Sequence, residues 1–316
     1  MSSTATLTDE YTAATTATAW LDRSERGKLA LTGADAKDFL QGQVSNDVVG
    51  LTPGTGCYAA FLTPKGKMLG DLRVLDTGQE LLLDTERVAL QELFNMIRRY
   101  SLGHDVQLHK RTLERGLISL LGPGALRLAG ADALPEPEHS HAALTIDGVD
   151  ARAVRTDVGI DLICKAERTA ELTATLTARG AAAISEPTAE CVRIERGRPR
   201  YGIDLDDTVI PQEAGLNERA VSFQKGCYVG QETVARLFYR GKPNRQLRGV
   251  RLRAPVPAGS EVTAGERVVG RITSVAASPR LGQIGLALIR REAPPGSTVV
   301  VGDERVAADV VELPFA

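Results

Sequence analysis

From about Leu247 onward, short Val-, Ile- and Leu-rich runs alternate with Gly and Pro turns: Ala254-Pro-Val-Pro-Ala-Gly259, Ala264-Gly265, Ser278-Pro279, Pro294-Pro-Gly296 and Gly302-Asp303. No helical period of useful length interrupts them. Such punctuation reverses the chain every few residues, which suits a small all-β barrel or sandwich. A boundary is therefore expected near 240–247, with residues 241–316 as a C-terminal β-barrel and residues 20–240 as a separate region.

The earlier part has a different texture. Lys28–Thr32 reads as a strand, and Ala36, Phe39, Leu40 and Val44 follow at near-helical spacing. Leu90, Leu93, Phe94 and Ile97 repeat at i, i+3, i+4, i+7, with Arg98 and Arg99 suiting a helix C-terminus. Between them, Tyr58–Leu62 and Gly70–Leu75 read as strands around the turn Thr63-Pro-Lys-Gly66, and Leu81–Leu83 as a third. Leu117–Leu121 and Asp161–Cys164 are further strands, and Ala166–Arg179 is a helix stopped by Gly180. The Pro-rich, acidic segment Ala131–His141 reads as an exposed loop. Closely spaced strands and turns favour an α+β fold with antiparallel sheets over a doubly wound parallel one.

At 316 residues, the chain suits two or three domains and can bury roughly three quarters of its unfolded surface without disulfide or metal staples. Residues 1–19 lack the basic start and apolar run of a signal peptide and are expected to be a loose tail. Nowhere do about 18 apolar residues run together, so no membrane span is expected. The four cysteines, Cys57, Cys164, Cys191 and Cys227, form no C-x-x-C pair, and the histidines lack ligand-like spacing. No metal site is expected from them, and a reducing, cytoplasmic setting fits best. A formal net charge of −2 gives no whole-chain reason for nucleic-acid binding.

Two segments carry chemistry. In Lys225-Gly-Cys-Tyr-Val-Gly-Gln-Glu-Thr-Val-Ala-Arg236, Gly226 and Gly230 permit close backbone approach to a ligand. Gln231 and Glu232 would open a helix on which Glu232 and Arg236 can pair. Lys225 would favour a Cys227 thiolate if the loop brings them together; equally, Cys227 is a small buried hydrophobe in a tight turn. The second segment runs from Cys191-Val-Arg-Ile-Glu-Arg-Gly197 to Pro211-Gln-Glu-Ala-Gly-Leu216. If Val192–Glu195 is extended, Arg193 and Glu195 share one face. A lone carboxylate there could accept two N–H bonds from a pterin, or it is half of an ordinary surface ion pair. Asp204, Asp206 and Asp207 read as a solvated turn, because the glycine and closing glutamate of a calcium loop are missing. The acid-free stretch from Arg236 to Arg253 either meets anions or is a basic face balanced by acids elsewhere. No Walker, dinucleotide or nucleophile-elbow motif occurs.

Lys225-Gly-Cys-Tyr-Val-Gly-Gln-Glu232 resembles the K-G-C-Y-x-G-Q-E signature of the YgfZ-type folate-binding proteins, complete at every fixed position. Phe39-Leu-Gln-Gly-Gln-Val-Ser-Asn-Asp47, Thr63-Pro-Lys-Gly-Lys-Met-Leu-Gly-Asp71, Arg193-Ile-Glu-Arg-Gly197, Ile210-Pro-Gln-Glu213 and Gly270-Arg-Ile-Thr-Ser274 look similar too. That family is related to the T-protein of glycine cleavage, an aminomethyltransferase. The resemblance implies three lobes around a central hole: two interleaved α+β lobes and a C-terminal β-barrel. It further implies that tetrahydrofolate, or a one-carbon derivative, is bound near Glu195, with Arg193, Gln212 and Glu213 close by. From the signature come Gly226, Tyr228, Gly230, Gln231, Glu232 and the flanking Arg236 as cofactor-binding residues. Cys227 is implied as a reactive thiol, with Lys225 beside it. Implied partners are iron–sulfur enzymes or their assembly proteins, a tRNA-modifying enzyme among them, with direct nucleic-acid binding not expected. One cysteine cannot hold a cluster alone, so any cluster would need ligands from a partner. The T-protein's catalytic aspartate has no counterpart placed in Leu83-Asp-Thr-Glu-Arg-Val-Ala-Leu-Gln91. Aminomethyl transfer to an amine is thus the alternative function, without a named base.

Overall fold

Apolar residues at strand spacing build two sheets and a barrel. A computed structural model describes residues 2–316, with side chains from residue 7 onward. The strands are β1 (Ala19–Asp22), β2 (Gly27–Thr32), β3 (Gly56–Leu62), β4 (Met68–Asp76), β5 (Leu81–Thr85), β6 (Gln107–Lys110), β7 (Arg115–Leu121), β8 (His141–Ile146), β9 (Val149–Arg155), β10 (Gly159–Lys165) and β11 (Ala182–Ala183). The barrel adds β12 (Arg245–Leu252), β13 (Glu261–Ala264), β14 (Arg267–Ser278), β15 (Gly282–Arg290), β16 (Thr298–Val301) and β17 (Val306–Val311). Helices are α1 (Ser2–Thr16), α2 (Ala36–Gln43), α3 (Leu90–Tyr100), α4 (Ala125–Ala129), α5 (Thr169–Ala178), α6 (Glu186–Glu195), α7 (Asn217–Ala220) and α8 (Gln231–Arg240).

The chain divides into two compact units: Met1–Leu62, Leu69–Thr188 and Arg219–Val229 form one, and Thr63–Met68, Ala189–Glu218 and Gly230–Ala316 the other. The first holds a six-stranded sheet, order β11-β1-β7-β10-β9-β8, and a five-stranded sheet, order β3-β4-β5-β2-β6. Within the six-stranded sheet every pairing is antiparallel except the short β1–β11 contact. The two sheets meet through Ala30, Leu75 and Leu82 on one side and Leu117, Val154 and Ile163 on the other. Strand β4 is buried along nearly its whole length, and its burial takes in three charged residues, Asp71, Arg73 and Asp76, along with its apolar ones. In the second unit, the punctuated stretch closes into a barrel, order β12-β15-β14-β13-β16-β17. Its interior is filled by Val250, Val262, Ile272, Ala287, Ile289, Val299 and Val310. Burying each such side chain contributes about 1.5–3 kcal/mol, enough in sum to hold a small barrel without metal or disulfide.

The fold is therefore α+β, as the sequence predicts. Three local expectations fail. Residues 1–19 carry helix α1, with Tyr11 and Ala14 buried. Glu10 on that helix accepts hydrogen bonds from the Ser185 amide (2.8 Å), the Ser185 hydroxyl and the Thr188 hydroxyl (both 2.5 Å). The 131–141 segment has Ala131, Leu134, His139, Ser140 and His141 buried, because its apolar residues dock on the six-stranded sheet. Residues 192–195 are not extended but end α6, whose Pro187 lies in the first turn and whose exit is Gly197 at φ 64°. Among the described residues, no helix is long and apolar enough to cross a membrane.

Candidate functional site

The signature segment begins in the first unit. Lys225 directs its ammonium at the carbonyls of Gln41 (2.5 Å), in the last turn of α2, and of Val44 (2.7 Å) and Asn46 (2.8 Å), just beyond it. Those three acceptors match its three donors. Burial lowers Lys225 to about 8, against Asp47 and Cys57, which raise it. Its charge acts on Cys57, where it opposes a burial effect that pushes this thiol up to about 12. Tyr228 is buried, lies 5.1 Å from the Lys225 ammonium, and is likewise raised to about 12 by burial. Lys225 is thus built into the α2–β3 connection, and fixes the start of the signature loop.

Cys227 is the exposed thiol of the four; Cys164 and Cys191 are buried and Cys57 is half-buried. Burial also raises Cys164 and pushes Cys191 up to about 12. A small-hydrophobe role therefore fits the other three cysteines and not Cys227. Gly230 takes a left-handed conformation (φ 85°) as it caps α8, whereas Gly226 does not and faces open space. Gln231 and Glu232 do open α8, but Glu232 and Arg236, both exposed, form no ion pair.

The second segment lies in the second unit. As α6 is helical, Arg193 and Glu195 diverge instead of sharing a face. Arg193 is half-buried and spends all five of its donors internally: on Glu190, the Arg198 carbonyl, Asp204 (2.6 Å) and Ser274 (2.9 Å). None is left for a ligand, so Arg193 positions the site's walls. Asp204, expected in a solvated turn, is buried at 2% exposure and also accepts from Thr273 (2.5 Å) and Ser274 (2.7 Å). Glu195 is buried; Oε1 accepts from Ser278, and Oε2 lies 3.7 Å from the half-exposed Arg280. Glu213 accepts from the Ile210 amide and pairs with Arg245 at 3.1 Å. Gln212 differs from its neighbours: its amide oxygen is buried and accepts no hydrogen bond, as is also true of Asn217 Oδ1.

The sequence reading missed one group. Asp71, on β4 in the first unit, is buried and accepts a 2.6 Å hydrogen bond from the Tyr58 hydroxyl. Burial pushes its carboxyl up to about 6, opposed by the Tyr58 bond and reinforced by Glu86. Its signal in the sequence was an acid inside a strand otherwise buried on both faces. Of the basic stretch, Arg245, Arg248 and Arg253 pair with Glu213, Glu312 and Asp309, so this part is a balanced face.

An α+β unit and a closed C-terminal barrel, with a signature loop leading into α8, define the class of protein, and sequence comparison agrees. Residues 2–225 match the GCVT N-terminal domain, and residues 245–316 the glycine cleavage T-protein C-terminal barrel domain. The chain belongs to the glycine cleavage T-protein family. It is 30% identical to an aminomethyltransferase of Geobacillus kaustophilus, over 97% of this chain and 89% of that protein. An aminomethyltransferase of Rubrobacter xylanophilus is 29% identical, over 97% and 85%. In fold, the chain is similar to the glycine cleavage system aminomethyltransferase T of Bartonella henselae, with a TM-score of 0.86 at 21% identity, covering 98% of this chain and 89% of that one.

Proposed function

We propose that this chain is a YgfZ-type protein that binds tetrahydrofolate or a one-carbon derivative and supports iron–sulfur protein assembly or repair through Cys227. The observation that carries the thiol role is the exposure of Cys227 on a complete signature loop, where its three counterparts are buried or half-buried. Folate is supported by family membership and by the donor set. A pterin edge is rich in N–H donors, and the buried, unfilled acceptor at Gln212 Oε1 fits such a partner. Glu195 would serve as a second acceptor by exchanging present partners, the half-exposed Arg280 among them, for the ligand. A reduced folate supplies one-carbon units carried on its nitrogens. This chain's own part is to orient that ligand from Gln212 and Glu195, with Arg193 and Asp204 holding the surrounding backbone.

Two results are expected. An aromatic disulfide reagent should react rapidly with one thiol per native chain, and Cys227→Ser should abolish that fast phase, leaving the half-buried Cys57 to react slowly and the buried Cys164 and Cys191 only on unfolding. In cells lacking the protein, the wild-type chain should restore iron–sulfur enzyme activities and Cys227→Ala should not. Full restoration by Cys227→Ala would sink the thiol role.

Asp71 favours a second reading, aminomethyl transfer to an amine. A carboxyl raised to about 6 and hydrogen-bonded to a tyrosine suits general acid–base work near neutral pH. Steady release of methylene-tetrahydrofolate from an amine substrate, lost in Asp71→Asn, would select this reading over the first.

A further inference from the structure

We infer that the outer wall of the barrel carries a separate cleft that binds an acidic peptide segment of a protein partner. The cleft lies wholly within the second unit and has a volume of about 780 Å³, inside the range of about 300–1,000 Å³ typical of ligand sites. Three neighbouring strands place guanidiniums on its wall. Arg245 on β12 is directly opposite Arg290 on β15, and Arg271 on β14 is opposite Leu288, two residues from Arg290. By strand alternation all three project from one face. Like charges directly opposite on paired strands are destabilising, so the Arg245–Arg290 pair costs the barrel stability that a carboxylate at Arg290 would recover. Arg245 is neutralised by Glu213, but Arg290 has no ion-pair partner among the described residues, and Arg271 has only Glu261 at 3.9 Å with both side chains mostly exposed.

The acids in the cleft do not cancel these charges. Asp204 is spent on Arg193, Thr273 and Ser274, and Glu213 on Arg245. Asp206 keeps one oxygen for Thr208 and presents the other. Ile203 and Val268 add exposed apolar surface at 46% and 45%. An acidic peptide satisfies each feature. Its carboxylates suit the planar forks of Arg271 and Arg290, its backbone N–H suits Asp206, and its apolar side chains suit Ile203 and Val268. A simple anion would leave the apolar and acceptor parts unused.

The test uses the full chain and a fluorescein-labelled peptide alternating glutamate with leucine, read by fluorescence polarisation. Saturable binding is expected, weakening with added salt and falling about tenfold or more in Arg271→Glu/Arg290→Glu. Both side chains are exposed, and an unchanged melting temperature in that variant would show that the barrel is intact. The inference is overturned by no saturable binding at low salt, by equal binding in the double variant, or by tighter binding of an oligouridylate than of the peptide. Neither Gln212 nor Cys227 enters this site, so its failure would leave the folate and thiol readings standing.

Discussion

Asp84→Ala is expected to destabilise the chain by about 3–5 kcal/mol, because it removes the fully buried carboxylate that Arg26 and Arg73 share, leaving them only Glu86 and Asp161. Asp84 on β5 is fully buried between Arg26 and Arg73, which donate to it at 2.9 and 2.6 Å. Arg73 reaches on to Asp161 on β10 at 2.5 Å, and Asp161 is held in turn by Ser119 on β7 at 2.6 Å. One ionic chain thus runs from the five-stranded sheet to the six-stranded sheet inside the first unit. Burial alone would raise Asp84, but Arg26 and Arg73 overcome it and hold this carboxyl well below its ordinary range. Its folded pKa is depressed, so its contribution is present above the unfolded carboxylate value, about 3.9, and is lost as pH falls toward the folded value. Denaturant midpoints should show the full loss at pH 7 and a smaller gap between wild type and variant in strong acid. A constant gap across the acid range would count against this account. Replacing the whole cluster by apolar residues of similar volume should cost far less than removing one member, since it leaves no unpaired charge.

Asp71→Asn should act in the opposite direction. A carboxyl raised to about 6 favours its protonated form in the folded state. Its contribution is present below the unfolded value and is lost as pH rises from about 4 through about 6. Above pH 7 the ionised form is a burden, so Asn is expected to stabilise by up to roughly 3 kcal/mol, with little difference at pH 4. The Tyr58 hydroxyl can still donate to the Asn oxygen, so the geometry survives the change. Unfolding curves of both proteins at pH 4 and pH 8 decide this. A variant less stable at both values would show that Asp71 is a structural carboxylate. A gain in stability together with lost turnover would instead mark it as a strained functional group, the usual trade-off at working sites.

The barrel was legible because its turns are marked by residue type: Gly and Pro fix backbone reversals whatever surrounds them. Helix α3 was legible because Leu93 and Ile97 fall on one stripe, and both are buried. Where local and long-range information diverged, the sequence misled. Val192–Glu195 alternates like a strand, yet it is the last turn of α6, and the better clue lay outside it, in Pro187 and Gly197. The N-terminal residues read as a tail because they lack periodicity; α1 is anchored by Glu10 reaching residues more than 170 positions away. Asp204 and Asp71 look like a turn acid and a strand acid in isolation. Their burial follows from Arg193 and Tyr58, whose proximity no local pattern encodes. The signature loop was recognised as a unit, but the task of Lys225 was not: three carbonyls at and just after the end of α2 take its donors.

The proposed function places a reduced folate at the acceptors around Gln212. Anaerobic calorimetry of tetrahydrofolate with the purified chain, alongside Gln212→Leu, tests it directly. Saturable binding of one folate per chain is expected, weakened about tenfold when the amide oxygen is removed. No saturable heat from a well-folded wild-type sample would contradict it, as would undiminished binding by Gln212→Leu.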